Sequence, residues 1–119
     1  GPLAGFAAAM AAVDTRFILT LPCDSPRLAE DYAQRFIRCQ AQQQTSIVVA
    51  SDGERLQPVH ALIEVGLLPS LHAFLDGGDR KIDRWYAACG FAEADFSDRA
   101  DMFRNINTPQ DREQMESDL

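Results

Sequence analysis

Apolar residues along the chain fall into short compact runs separated by segments in which they recur every three or four positions. Arg16 to Leu21 is an apolar run of strand length that stops at Pro22, and Ser46 to Ala50 is a β-branched run closed by the turn signal Asp52-Gly53. Val59 to Val65 suits a strand partnered with the second run, and Phe91 to Phe96 alternates well enough for a short edge strand. Between these lie helical patterns. The Ala-rich stretch Phe6 to Val13 predicts a short helix after the glycine turn Gly1 to Gly5. Ser25 as N-cap and Pro26 at the first helical position predict a second helix, with Leu28, Tyr32 and Phe36 spaced by four beside Ala33 and Ile37. The Gln40 to Gln44 tract reads as the loop that follows it. Leu67 to Leu75 has helical spacing ended by Gly77-Gly78, Ile82 to Cys89 is a further helix stopped by Gly90, and Thr108-Pro109-Gln110-Asp111 is a helix start near the end of the chain.

Strands alternating with helices across short connections predict an α/β fold with a mainly parallel sheet, mixed toward its second half. No internal repeat or linker divides the sequence, so residues 1–119 read as a single domain. The opening is unusual for such a fold, because a doubly wound sheet ordinarily begins with a strand and places its phosphate-binding loop after it.

Composition narrows the partners. With 18 acidic against 11 basic residues the formal net charge is −7, so no global field draws nucleic acid or an anionic membrane. An anionic substrate would need a bound cation or converging backbone N–H groups. Cys23, Cys39 and Cys89 are odd in number and widely spaced, which argues against a disulfide framework or a structural zinc and favours a reducing, cytoplasmic compartment. No apolar run approaches the roughly 20 residues of a membrane span.

In an open parallel sheet the ligand crevice lies beyond the carboxyl ends of the strands, which is where Asp24 stands, three residues past the first apolar run. A carboxylate there suits magnesium, which takes one or two protein carboxylates and fills its shell with substrate phosphate oxygens. Capping of the next helix explains Asp24 equally well from position alone. The segment Gly1-Pro2-Leu3-Ala4-Gly5 ahead of a helix could bring backbone N–H groups to a base or phosphate, and as a pattern it is more often a plain turn. Asn105 and Asn107, two apart ahead of Thr108-Pro109, present paired amides that suit a pterin or a phosphate, or simply an Asn-rich turn. Arg55 in the turn Asp52-Gly53-Glu54-Arg55, and the pair Arg80-Lys81 after Gly77-Gly78, are cations that could meet an anion or be solvated. His60 and His72 have no acidic or Cys partner at motif spacing and read as packing or surface residues; Trp85 and Tyr86 read as core. Ser97 lacks the context of a nucleophile elbow.

Five blocks taken in order, Gly1-Pro2-Leu3-Ala4-Gly5, Leu21-Pro22-Cys23-Asp24-Ser25-Pro26, Asp52-Gly53-Glu54-Arg55 with Gln57-Pro58, Asp95-Phe96-Ser97-Asp98 and Asn105-Ile106-Asn107-Thr108-Pro109, resemble the molybdenum cofactor guanylyltransferase family nearly end to end. The resemblance implies a Rossmann-like nucleotidyltransferase fold and transfer of GMP from GTP to molybdopterin bearing molybdenum, with Mg2+ organising the triphosphate. It implies Asp24 as the metal-binding carboxylate and the segment Gly1, Pro2, Leu3, Ala4 and Gly5 at the guanine nucleotide side. Asn105 and Asn107 fall on the molybdopterin side, with Arg55, Arg80 and Lys81 as weaker candidates there. It further implies molybdoenzymes or cofactor chaperones as protein partners, and neither nucleic acid nor membrane.

One family feature is missing, the Leu-Ala-Gly-Gly-like loop carrying an Arg and a Lys for the triphosphate. The chain is therefore expected to be an N-terminally truncated, partial domain, roughly the last three fifths of a family member. Little guanylyl transfer is expected of it alone, and the uncovered sheet edge is expected to pair in a homo-oligomer, which sedimentation across micromolar concentrations would reveal. A related cytidylyltransferase, or a non-catalytic pterin-binding or assembly module, are the alternative readings.

Overall fold

A computed structural model of the chain describes residues 1–22 and 27–103. Helix α1 (Pro2–Ala12) leads to strand β1 (Phe17–Thr20), helix α2 (Tyr32–Gln43), strands β2 (Ile47–Ser51) and β3 (Leu56–Glu64), and helices α3 (Leu68–Asp76) and α4 (Ile82–Cys89). Strand β4 (Ala92–Asp95) and a kinked 3-10 segment (Ser97–Phe103) complete the described order. The strands form one sheet in the order β1-β3-β2-β4. Because β3 is antiparallel to both β1 and β2 while β2 and β4 are parallel, three strands point one way and the odd one lies inside the sheet. The expected α/β class with a mixed sheet is what forms, but of the described pairings β1–β3 and β2–β3 are antiparallel and only β2–β4 is parallel, where a mainly parallel sheet was expected.

The sheet is covered on both faces. Ile47, Val49, Ala61 and Ile63 face α1, α3 and α4, where Leu3, Phe6, Met10, Leu71, Trp85 and Tyr86 complete one core. Val48, Ala50, Leu62 and Ala94 face Tyr32 and Phe36 of α2 together with Phe96 and Met102. This is the period-2 division expected of strands buried on both faces.

Three element boundaries differ from the sequence expectation. The Gly1 to Gly5 segment is not a turn ahead of a helix, because Pro2, Leu3, Ala4 and Gly5 form the first turn of α1 itself, with Gly1 at the N-cap. Leu3, Phe6, Ala7 and Met10 are all buried, and that spacing of three, four and seven extends the helix through Gly5, while the fixed φ of Pro2 suits its first position. Helix α2 begins at Tyr32 after Asp31 rather than near Ser25, and residues 27–31 are non-helical. There Leu28 packs on the second core and the Ala29 N–H meets Met102 Sδ at 3.0 Å, contacts that a helix through this stretch would have to give up. Residues Gln40 to Gln43 belong to α2, consistent with the good helix propensity of Gln, and the turn comes at Gln44, whose φ is 52°.

Strand β3 carries an irregularity that matters for the site. Val49 pairs with Ala61 but Ala50 pairs with Gln57, which leaves Pro58, Val59 and His60 out of the regular ladder with β2. Pro58 has no N–H to donate, so a bulge here costs least. The carbonyls so released find side-chain donors: Thr20 Oγ1 donates to Val59 O, and Tyr86 Oη donates to Pro58 O at 2.6 Å.

The turn between β2 and β3 is held by Asp52, whose Oδ1 accepts the N–H groups of Glu54 (2.9 Å) and Arg55 (2.8 Å). Gly53 has φ 99°, and a Cβ on it would stand 2.9 Å from Ser97 Cβ. Replacing Gly53 by Ala therefore adds left-handed strain to a collision and should destabilise the fold by about 1–3 kcal/mol. A urea unfolding midpoint unchanged from wild type would show that the turn and Ser97 are not in this contact.

Candidate functional site

Chain direction gathers several segments at one end of the sheet. β1, β2 and β4 all finish there, at Thr20, Ser51 and Asp95, and the β2–β3 turn that carries Arg55 lies beside Ser97 at the same end. The short connection from α1 to β1 returns the chain directly, so the N-terminus of α1 points to the end where β1 finishes. The same argument for α4 and β4 places Arg80 and Lys81, which precede α4, at this end too. A contact agrees: the Arg80 carbonyl oxygen lies 3.7 Å from where a Gly1 Cβ would stand.

The sequence candidates divide accordingly. Gly1, Pro2, Leu3, Ala4, Gly5, Arg55, Arg80 and Lys81 share the carboxyl end of the sheet, with Arg80 and Lys81 beside the α1 terminus. Leu3 and Ala4 supply N–H groups at a helix start, where the first donors lack intrahelical partners, and a Cβ at Gly5 would meet nothing within 4 Å. Asp24, Asn105 and Asn107 lie outside the described residues. Asp24 follows the end of β1 by four positions, and Asn105 follows Phe103 by two.

Acidic groups at this end are mostly committed. Besides its two backbone contacts, Asp52 accepts Gln57 Nε2 at 3.1 Å, and Asp95 Oδ1 accepts the Ser97 N–H at 2.8 Å. Asp98 takes both arms of Arg35, at 2.6 and 2.8 Å, while Arg35 Nε reaches Asp31 at 3.0 Å and its guanidinium lies 4.9 Å from the Phe96 ring centre. These bonds hold each carboxyl below its ordinary range: the Arg55 and Glu54 N–H groups act on Asp52, the Ser97 N–H on Asp95 and the Arg35 fork on Asp98. Among the described residues no three His, Cys, Asp or Glu side chains gather as a metal site. Arg35 also donates to Asp95 O, and Cys39 Sγ lies 3.4 Å from Glu93 O, so α2 supplies donors to the backbone of the β4 edge.

Sequence reasoning missed a buried polar cluster at the same end. Thr20 Oγ1 accepts the Ala61 N–H at 3.0 Å, and Tyr32 Oη lies 3.0 Å from Thr20 O and 2.8 Å from His60 Nδ1. A carbonyl can only accept, so the single Tyr32 proton goes to Thr20 O, and His60 must then donate from Nδ1, which fixes its neutral tautomer. Tyr32 and His60 had been read as an apolar helix position and a packing residue; both are buried, and only their polar atoms reveal the link. Nothing in the spacing of Thr20, Tyr32 and His60 signals it, since the residues come from three elements.

Burial pushes the His60 pKa from 6.5 down to about 4. The unfolded chain therefore binds a proton between those values that the folded chain does not. Stability due to neutral His60 is complete above pH 6.5 and drains as pH falls toward 4, by at most about 1.4 kcal/mol per pH unit. The depressed carboxyls act lower, below 3.8. Urea unfolding at intervals from pH 7 to 4 should show the slope in wild type and its loss in His60→Asn; equal slopes would refute this origin.

No described helix is long and apolar enough to cross a membrane. The family model for the MobA-like NTP transferase domain matches residues 1–92. The molybdenum cofactor guanylyltransferase of Shewanella sediminis is 44% identical over 115 residues, which is 97% of this chain and 59% of that protein. The molybdenum cofactor guanylyltransferase of Shewanella frigidimarina is 42% identical over 119 residues, all of this chain and 61% of the relative. The chain thus spans about three fifths of the length of these relatives. A molybdopterin-guanine dinucleotide biosynthesis protein A from Archaeoglobus fulgidus superposes with TM-score 0.80 at 17% identity, over all of this chain and 64% of that one. An Aquifex aeolicus protein of known structure gives 0.77 at 18% identity, over 89% of this chain and 56% of that one. The two structures share the fold, and the family match over residues 1–92 establishes that this chain belongs to the MobA-like NTP transferase family.

Proposed function

We propose that the protein containing this chain transfers GMP from GTP to the terminal phosphate of molybdopterin bearing molybdenum. The observation that carries this reading is the 44% identity to a molybdenum cofactor guanylyltransferase along 97% of the chain. A phosphate oxygen of the pterin attacks the α-phosphorus of GTP, a new P–O–P linkage forms, the α–β bridging bond breaks and pyrophosphate leaves. Such a transfer needs in-line positioning and charge neutralisation rather than a protein nucleophile.

Asp24 is assigned as the carboxylate that holds Mg2+. A hard cation calls for a carboxylate not already engaged; the described acids nearby are held by N–H groups or by Arg35, and Asp24 follows the end of β1 by four positions in the sequence. When bound, magnesium supplies Lewis-acid stabilisation of phosphate charge. The first turn of α1, with Gly1, Pro2, Leu3, Ala4 and Gly5, is assigned to the nucleotide side, where the N–H groups of Leu3 and Ala4 can meet an anion or a base edge and the missing Gly5 side chain permits close approach. Asn105 and Asn107 are assigned to the pterin side, with Arg55 as an added cation. Arg80 and Lys81 are assigned as weaker cations on the same pterin side; the Arg80 guanidinium donates to Leu75 O at 2.7 Å, which leaves Lys81 the less engaged of the two. A homo-oligomer through the outer edge of β1, which has no partner strand among the described residues, belongs to the same reading.

The test is a guanylyl-transfer assay on the full-length protein with radiolabelled GTP, molybdopterin and Mg2+. Dinucleotide formation and pyrophosphate release with GTP, and much less with CTP, are expected. Preference for CTP would reassign the base, and no transfer with either nucleotide would overturn the reading. The 119 residues alone contain a single Lys, Lys81, and no glycine-rich loop carrying one, so by themselves they should turn over GTP poorly.

A further inference from the structure

The Arg55 side chain is exposed and, among the described residues, makes no hydrogen bond or ion pair, although it leaves a turn beside several carboxylates. A chain of net charge −7 offers a guanidinium many partners, so its freedom has to be built. The carboxylates at this end are engaged elsewhere. Asp98 takes both arms of Arg35, and Asp95 accepts the N–H of Ser97, the residue that Gly53 of the turn approaches. Asp52, three residues before Arg55, uses Oδ1 for the N–H groups of Glu54 and Arg55 and Oδ2 for Gln57 Nε2 at 3.1 Å. Without Gln57, Oδ2 would be an open acceptor for the Arg55 fork. The Asp52 carboxyl is drawn below its ordinary range first by the Arg55 N–H, then by the Glu54 N–H and Gln57, and least by the Arg55 charge. Gln57 is itself fixed by β3, since it pairs with Ala50 of β2 and the next carbonyl, Pro58 O, accepts Tyr86 Oη of α4.

We propose that Asp52 and Gln57 are positioning residues that keep the Arg55 guanidinium uncommitted, so that it forks onto the terminal phosphate of the pterin substrate. The choice of that phosphate rests on the functional reading above; the freedom of Arg55 does not. A planar guanidinium grips a phosphate through two parallel N–H bonds, but only in the fraction of molecules in which it is not paired elsewhere. Apparent affinity for the anion falls in proportion to that fraction, and an exposed Arg–Asp pair is strong enough to lower it about 3–5-fold. A neutral glutamine satisfies Asp52 Oδ2 without adding a charge that would itself hold the arginine.

Gln57→Ala in the full-length protein uncovers Asp52 Oδ2 and lets Arg55 fold back on it. Water exchange of the Arg55 Nε–H, read by NMR and identified by its loss in Arg55→Lys, should then slow by about 3-fold. In the transfer assay the pterin KM should rise about 3–5-fold, while kcat at saturating pterin and the KM for GTP change by less than about 1.5-fold. Adding Asp52→Asn to Gln57→Ala keeps an acceptor for the turn N–H groups and puts an NH2 where Oδ2 stood, which a guanidinium cannot use. This double variant should bring both readouts back to wild type, a repair that a merely structural loss at Gln57 would not allow. Unchanged Arg55 exchange in Gln57→Ala overturns the proposal, and so does slowed exchange with raised KM that persists in the double variant. Arg55→Ala separates the two claims, with an expected rise in pterin KM of about 10-fold. If exchange responds and is rescued but Arg55→Ala leaves the pterin KM at wild type, the frame around Arg55 stands and its phosphate assignment is overturned. A rise in the KM for GTP instead of the pterin KM moves the arginine to the nucleotide and overturns that assignment too.

Discussion

Asp24→Asn in the full-length protein is expected to lower magnesium-dependent guanylyl transfer by about 10²–10⁴-fold, the scale seen when one preorganised charge-stabilising group is lost. The choice of asparagine separates two roles that its position in the sequence leaves equal. Asn caps a helix about as well as Asp, so a capping role predicts little change in stability or rate. As a neutral amide, however, it gives up the negative charge that a hard cation needs. Loss of transfer with an unchanged unfolding midpoint, partly relieved by raised magnesium, would place the metal at Asp24. Turnover within about threefold of wild type would return the residue to the helix cap.

The sequence pattern located every described strand and α-helix, most to within a few residues, because each is short and its buried positions repeat at 2.0 or 3.6; the start of α2 was six residues early and the 3-10 segments were not expected. Its failures have one cause. Periodicity reports which side of an element is buried, not what the buried atoms bond to. Residues 27–31 carry the right spacing for a helix and yet pass over Met102 in a non-helical path, a contact across 73 positions that no local signal contains. Gly5 looks like a turn residue and is helical because Leu3, Phe6, Ala7 and Met10 outweigh its propensity cost of roughly 1 kcal/mol. At the site, the glycine segment and the Arg80-Lys81 pair were legible as separate features, but not that Arg80 sits against Gly1. The Tyr32–His60 link was not legible at all, since alternation with Leu62 puts His60 on the α2 face but nothing local says which α2 side chain its Nδ1 meets.

Neighbouring residues of α2 give the sharpest test of its orientation. The apolar spacing of α2 sets Ile37 beside Phe36, but Phe36 is 0% exposed and Ile37 is 57% exposed. Successive helical positions are turned by about 100°, so when Phe36 points into the sheet its neighbour is carried to the side of the helix. Phe36 meets Tyr32 edge-on at 5.0 Å and Phe96 at 5.4 Å, over a floor made by Val48, Ala50 and Ala94. Phe36→Ala removes the ring and leaves a cavity among groups that are themselves held by the Arg35 fork and the Tyr32 hydroxyl, so little collapse can fill it. The expected cost is about 3–5 kcal/mol, a large part of the 5–15 kcal/mol that typically separates a folded domain from its unfolded chain. Ile37→Ala should change stability by no more than about 0.5 kcal/mol. Urea unfolding followed by Trp85 fluorescence reads both, and similar losses in the two variants would mean that α2 is rotated from the orientation described.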